Sequence, residues 1–247
     1  MSRRGRTWVL SVGIVAFGCC LAIALLGLPH FGTAVHAYRD LAIAATVQHS
    51  TPNAISSVNF DQRPLDTFGE ETILLASVIG VAALLRPSQE ERNYRPSLTG
   101  RVLEPTRILG YVGLPATLII GINLVTHGHL TPGGGFQGGV VIATGIHLLY
   151  VAGSYPTLDR LRPVELFEQG EAIGAGAFAC LGLAGVVTSG GFLTNLLGFG
   201  TFGRFFASGT VPLLNGAVGL EVASGVIVLL AKFLEQAILL GPRGSRR

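Results

Sequence analysis

Five side chains place acid–base chemistry inside or beside strongly apolar sequence: Asp66, Glu70, Glu71, His147 and Glu221. Asp66 and Glu70 are four apart and share one face of any helix that holds them, with Glu71 directly after. Clustered carboxylates repel one another, so they hold protons more readily or gather a hard cation through their oxygens. The same acids suit the first turns of a helix, Asp66 as a cap and its neighbours by the dipole, so a structural and an ion-handling reading both stand. Glu221 lies about nine residues into an apolar block. An unpaired carboxylate at such a depth in a bilayer costs roughly 2.5–3.5 kcal/mol on insertion scales. It must therefore be protonated, paired, turned to a hydrated cavity or packed against a partner. His147, inside another apolar block, is a candidate partner; Lys232 and Glu235, three apart, read as a snorkelling pair.

The elements that position these groups follow from composition. Of 247 residues, 49% are hydrophobic and only 13% charged, with a mean hydropathy of +0.56; a soluble domain carries charge on roughly a quarter of its residues. The charges fall between long apolar blocks, as a bilayer requires, since no water is there to satisfy an open polar group. The blocks are Trp8–Leu28, Thr72–Leu85 (spanning only if its helix begins near Asp66), Ile108–Thr126, Phe136–Ala152, Glu171–Thr188 and Pro212–Leu234. The first follows Arg3, Arg4 and Arg6 like a signal peptide, with Val35-His36-Ala37 as a cleavage site, but its length favours an uncleaved span. Pro29–Gly69 reads as a polar stretch, and Gly191–Gly209, rich in Phe and Gly, as an interfacial or re-entrant segment. Six crossings put Arg3, Arg4, Arg6, Arg86, Arg92, Arg95, Arg101, Arg107, Arg160, Arg162, Lys232, Arg243, Arg246 and Arg247 on one side. Arg39, Arg63 and Arg204 alone of the 17 basic residues remain on the other. That bias predicts cytoplasmic termini.

Cys19, Cys20 and Cys180 lie within apolar blocks and lack the spacing of a disulfide or metal framework. The pI near 9.0 reflects loop arginines rather than a soluble basic domain for nucleic acid. An intramembrane hydrolase would need a Ser/His pair, an Asp pair or a metal triad, and none is visible, so the expectation is a non-enzyme without cofactor or metal.

The most distinctive run is Thr126-His127-Gly128-His129-Leu130-Thr131-Pro132-Gly133-Gly134-Gly135-Phe136-Gln137-Gly138-Gly139. Pro132 and the glycines predict a tight turn. Gly134/Gly138 and Gly135/Gly139, each four apart, predict a smooth helix face onto which another backbone closes. No Gly-Lys-Ser/Thr follows, which excludes a phosphate loop. His127 and His129 lack a third ligand, so hydrogen bonding within the loop is the expected role.

This run resembles the signature of the MnhB (MrpB) subunit family of multisubunit Na+/H+ antiporters. The resemblance continues through Glu168-Gln169-Gly170-Glu171-Ala172-Ile173-Gly174 and Ser208-Gly209-Thr210-Val211-Pro212-Leu213-Leu214-Asn215. Asn53, Asp61, Arg63 and Asp66-Thr67-Phe68-Gly69-Glu70 resemble a segment that closes the large A subunit or stands alone as an E-type subunit in related hydrogenase complexes; Pro64, Leu65, Phe68 and Glu71 depart from it. The resemblance implies an all-α, polytopic integral membrane protein of about six transmembrane helices. It would divide into a first helix (1–28), an E-type/A-subunit-like segment (29–100) and an MnhB-like membrane domain (101–240). It further implies a non-catalytic subunit in the cell membrane that joins sister subunits, with Na+ and H+ as transported ions and Glu70 on the ion path. A membrane-arm subunit of a hydrogenase-type oxidoreductase, or a scaffold without ion contact, is the alternative.

Overall fold

The computed structural model describes residues 3–28, 36–86, 102–152 and 163–239. The arginine-rich connections that carry the predicted charge bias lie largely outside these residues, as does Val35 of the proposed cleavage site, whose Ala37 begins a helix. Two compact units are present, Met1–Asp40 and Leu41–Arg247. The first contains helix α1, Arg3–Leu26, whose apolar side chains are exposed from Trp8 onward. With Cys19 and Cys20 among them, this is a surface suited to lipid.

The described regular elements of the second unit are all helices. The unit runs through α2 (Ala37–Gln48, entered from the first unit), α3 (Ala54–Ser57), a π-helical turn at Val58–Gln62, α4 (Pro64–Leu84), α5 (Glu104–Thr126), α6 (Gly135–Val151), α7 (Val164–Ser189) and α8 (Val211–Leu239). The stretch expected to be merely polar is therefore helical over much of its described length. Ala37–Gln48 is rich in alanine, the strongest helix former, and Asn53 caps α3 by accepting from the Ile55 and Ser56 amides. The π turn ends at Arg63, and Pro64 then starts α4, where its missing N–H is no loss. This start puts Asp66 in the first turn, as the sequence predicts.

Among the described residues five helices are long and apolar enough to cross a membrane, and α6, at 17 residues, is shorter than the six crossings expected from the sequence require. The sequence blocks understate the ends: α7 begins at Val164 rather than Glu171, and α5 at Glu104 rather than Ile108. The charged residues on these extensions read as loop until helical pairing such as Arg107–Glu104 joins them to the helix. Helix α7 stops at Gly190, whose φ of 75° is the left-handed cap that glycine adopts without strain. Gly191–Gly209 contains no helix, in keeping with its glycine content.

Helix α8 is the central element, packed most extensively against α7 and α6 and then against α4. The main core gathers Phe178, Val211, Leu214, Val218 and Val222, with Phe60 of the π turn; Phe68 stacks on Phe178 with ring centroids 6.0 Å apart. A smaller cluster, Leu149 and Leu234 with Leu114, closes the other end.

Candidate functional site

Three glutamates on three helices meet in the interior of the second unit. Glu71 (α4), Glu171 (α7) and Glu221 (α8) are 2%, 3% and 0% exposed. The carboxyls of Glu71 and Glu221 stand within hydrogen-bonding range, with Glu171 alongside. Glycine makes the meeting feasible. Gly174 packs on the Glu221 backbone and Cβ, and Gly225 lies against Glu171 Oε1, where an added Cβ would be 3.1 Å away. Apart from that carboxyl–carboxyl contact, both oxygens of Glu71 and Glu221 and Oε1 of Glu171 lack a hydrogen-bond partner among the described residues. Two bare carboxylates in a dry interior repel and carry a desolvation penalty of several kcal/mol each. Their contact becomes attractive only with a proton or a cation between them. One turn beyond Glu171, Glu168 pairs with Lys232 at 3.3 Å. Lys232 thus joins α8 to α7, in place of the local pair with Glu235 that the sequence suggests.

Asp66 and Glu70 are on the exposed face of α4, Asp66 paired with Arg63. Among the acids singled out from the sequence, the structure brings Glu71 and Glu221 together and leaves Asp66 and Glu70 outside. His147 is elsewhere. Helices α6 and α8 run side by side in one direction, Gly135 against Val218 and Gly219, Gly139 against Val222 and Ala223, Leu149 against Leu234. That register sets His147 about 14 Å beyond Glu221 along the axis, at about 1.5 Å per residue. Pairing between them is excluded. Glu171 was missed as a site residue because it reads as the edge of an apolar block; the signal available was Glu165, Glu168 and Glu171 repeating every three residues.

The glycine run works within the chain. Gly135 and Gly139 press on α8, while Gly138 presses on Gly121 and Val125 of α5, so the glycines serve two helix faces rather than one. Gly133 and Gly134 precede the helix with φ of 134° and 146°, values that L side chains rarely adopt. Phe136 packs against the main core, whereas Pro132 and Gln137 stay exposed at the turn.

This turn belongs to a polar cap over one end of the bundle. Asn53 Nδ2 donates to the carbonyls of Gly128 (2.6 Å) and Thr131 (2.9 Å), and the Asn53 amide donates to His129 O. Asn215 Oδ1 accepts from the Gly135 amide at 2.9 Å, and its Nδ2 donates to Ser56 Oγ. His127 is half-buried beside the Phe205 ring. His129 is fully buried and donates from Nε2 to Phe205 O at 2.9 Å. Its Nδ1 has no hydrogen-bond partner among the described residues, so the ring is the neutral Nε2–H tautomer. Burial, the largest cause, pushes His129 below the ordinary imidazole value, with nearby His127 adding to this and the Phe205 carbonyl opposing it. Folding therefore favours the neutral ring. The stability it contributes is complete above the ordinary value of 6.5 and is lost as pH falls below it. Thermal unfolding in detergent should show a midpoint that drops on acidification from about pH 8 to about pH 5.5. His129→Gln, which keeps a donor for Phe205 O, should flatten that slope.

A second cluster in the cap joins His49, Asp61 and Asn195. His49 Nδ1 contacts Asp61 Oδ2, Asn195 Nδ2 donates to Asp61 Oδ1 at 3.1 Å, and the His49 ring stacks on Phe199 at 4.1 Å. Among the described residues no group of three or more His, Cys, Asp or Glu is arranged to hold a metal ion.

Long apolar helices around an ionisable interior define a multi-pass membrane protein. The chain belongs to the family of domains related to the MnhB subunit of the Na+/H+ antiporter, matched over residues 105–228. It is 33% identical over 198 residues to an uncharacterized protein of Methanocaldococcus jannaschii, covering 71% of this chain and 74% of that one. Among solved structures, a chain of the membrane-bound sulfane sulfur reductase, an archaeal respiratory membrane complex, matches with a TM-score of 0.71 and 27% identity. That match covers 93% of this chain and 98% of the other. A chain of the Mrp complex from Dietzia sp. DQ12-45-1b shares the fold, with a TM-score of 0.66 and 22% identity; the match covers all of this chain but 27% of that longer one.

Proposed function

We propose that this chain is a non-catalytic subunit of a multi-subunit, ion-translocating membrane complex, and that Glu71, Glu221 and Glu171 form a station for protons or monovalent cations within it. The carrying observation is the convergence of three buried glutamates from three apolar helices, with Glu168 and Lys232 continuing the file toward the uncapped end. In this reading α6 also crosses, giving six spans, with both termini and the arginine-rich connections in the cytoplasm and the polar cap outside. The front segment and the family-matched part then act as one body, since α4 supplies one of the three acids.

The whole-length likeness to a chain of a respiratory complex supports a membrane arm coupled to an oxidoreductase. A Na+/H+ antiporter subunit is the second reading, favoured by the family model. Purification in mild detergent followed by identification of the sister subunits separates the two. Redox-centre subunits are expected for the first reading and antiporter subunits alone for the second. Recovery of a stable monomer from a host that shows no change in ion exchange on deletion would overturn both.

A further inference from the structure

The His49–Asp61 pair is left unused by the glutamate file, yet its construction is that of an acid–base site. The π-helical turn Val58–Gln62 aims Asp61 inward, and such single turns recur at functional positions. The Asp61 side chain is 4% exposed, whereas the His49 side chain is 30% exposed. His49, Asp61, Arg63, Pro64, Phe192 and Asn195 are among the residues lining an open cleft of about 400 Å³ at the capped end. Beneath it, buried Thr67 donates from Oγ1 to Asn59 O at 2.8 Å, and Glu71 follows one turn further along α4.

We infer that this cleft is the outer proton-exchange mouth of the subunit, with His49 and Asp61 as its loading pair. The inference rests on the glutamate reading above. The imidazole takes a proton at Nε2 from hydronium in the cleft, one O–H breaking as one N–H forms, and releases the Nδ1 proton to the Asp61 carboxylate, one N–H breaking as one O–H forms. Asn195 holds Asp61 from the other side, and Phe199 fixes the ring plane. The charged and titratable groups lining the cleft are His49 and Asp61 themselves and Arg63, whose partner Asp66 stands on the rim; the Gly191–Gly209 segment presents uncharged Phe192, Leu193, Thr194, Asn195 and Phe199.

The test uses the intact complex in sealed vesicles, with proton movement followed by a pH-sensitive dye while the pH on the cap side varies over roughly two units around neutrality. His49→Gln is expected to shift the midpoint of that dependence by about one pH unit toward acid, a tenfold greater need for protons. Asp61→Asn, which removes the carboxylate that receives the proton, should depress movement more deeply than His49→Gln, while Glu221→Gln stops movement at every pH. A His49→Gln profile that superimposes on the wild type overturns the inference. So does an equal loss at every pH, or loss of the assembled complex on gel filtration, because either result assigns the pair a structural task alone. Normal transport by Glu221→Gln instead overturns the glutamate station, whatever His49→Gln does.

Discussion

Glu221→Gln is expected to abolish ion exchange by the assembled complex, with a loss of at least about 100-fold, while the bundle stays folded. The amide keeps the volume of the carboxyl and fills the same space beside Gly174, but it cannot take up or release a proton. Removing an ionisable group from a dry interior is neutral or stabilising, so gel filtration and the thermal midpoint should hold or rise. Glu71→Gln is expected to give the same loss, since its carboxyl is the other half of the contact. Glu70→Gln, on the exposed face, should spare the buried pair. Dye-reported proton uptake in vesicles and a parallel assembly assay check all three. Wild-type exchange by both Glu221→Gln and Glu71→Gln would remove the station.

The second large effect concerns folding. Gly138→Leu should leave little or no folded protein. Already the first added carbon, Cβ, would be 2.7 Å from Gly121 O and 2.9 Å from the Val125 amide nitrogen. Both are backbone atoms of α5, so no rotamer change relieves the contact and α5 must part from α6. Overpacking of this kind costs roughly 1–3 kcal/mol or more, and here it would break a long helix–helix seam. Gly176→Ala is the matched comparison, because a Cβ there meets nothing within 4 Å. Yield, monodispersity and unfolding midpoint in detergent should separate the two. Equal behaviour would mean that the seam is not closely packed.

Much of this architecture could be read from residue order, for reasons that also explain what could not. Five of the six apolar blocks fall on helices long and apolar enough to span, because a bilayer imposes hydropathy over many consecutive residues, and the glycine run marked close packing because only small residues permit it. Helix faces were another matter. The i,i+4 rule grouped Asp66 with Glu70, yet which side of α4 turns inward depends on what α8 presents, and Glu71, one residue on, is the buried acid. Neighbouring helices are likewise invisible in a single sequence, which is why His147 looked like a partner for Glu221 until the register of α6 on α8 set them apart. Glu171 appeared to be a boundary because hydropathy marks where apolar content begins, whereas α7 starts two turns earlier at Val164. The cap was hidden because its contacts join residues 75 to 159 positions apart through single polar atoms.

The brevity of α6 bears on the surrounding lipid. At about 1.5 Å per residue its 17 residues reach about 26 Å, against a hydrocarbon layer of about 30 Å. Its neighbours α5 and α8, with 23 and 29 residues, exceed that thickness. With α6 crossing as proposed above, lipid tails beside it would have to shorten or tilt, drawing headgroups and water inward at that flank. The chain would then carry its own thinned patch of bilayer, an energetic incentive for a neighbouring subunit to cover that side.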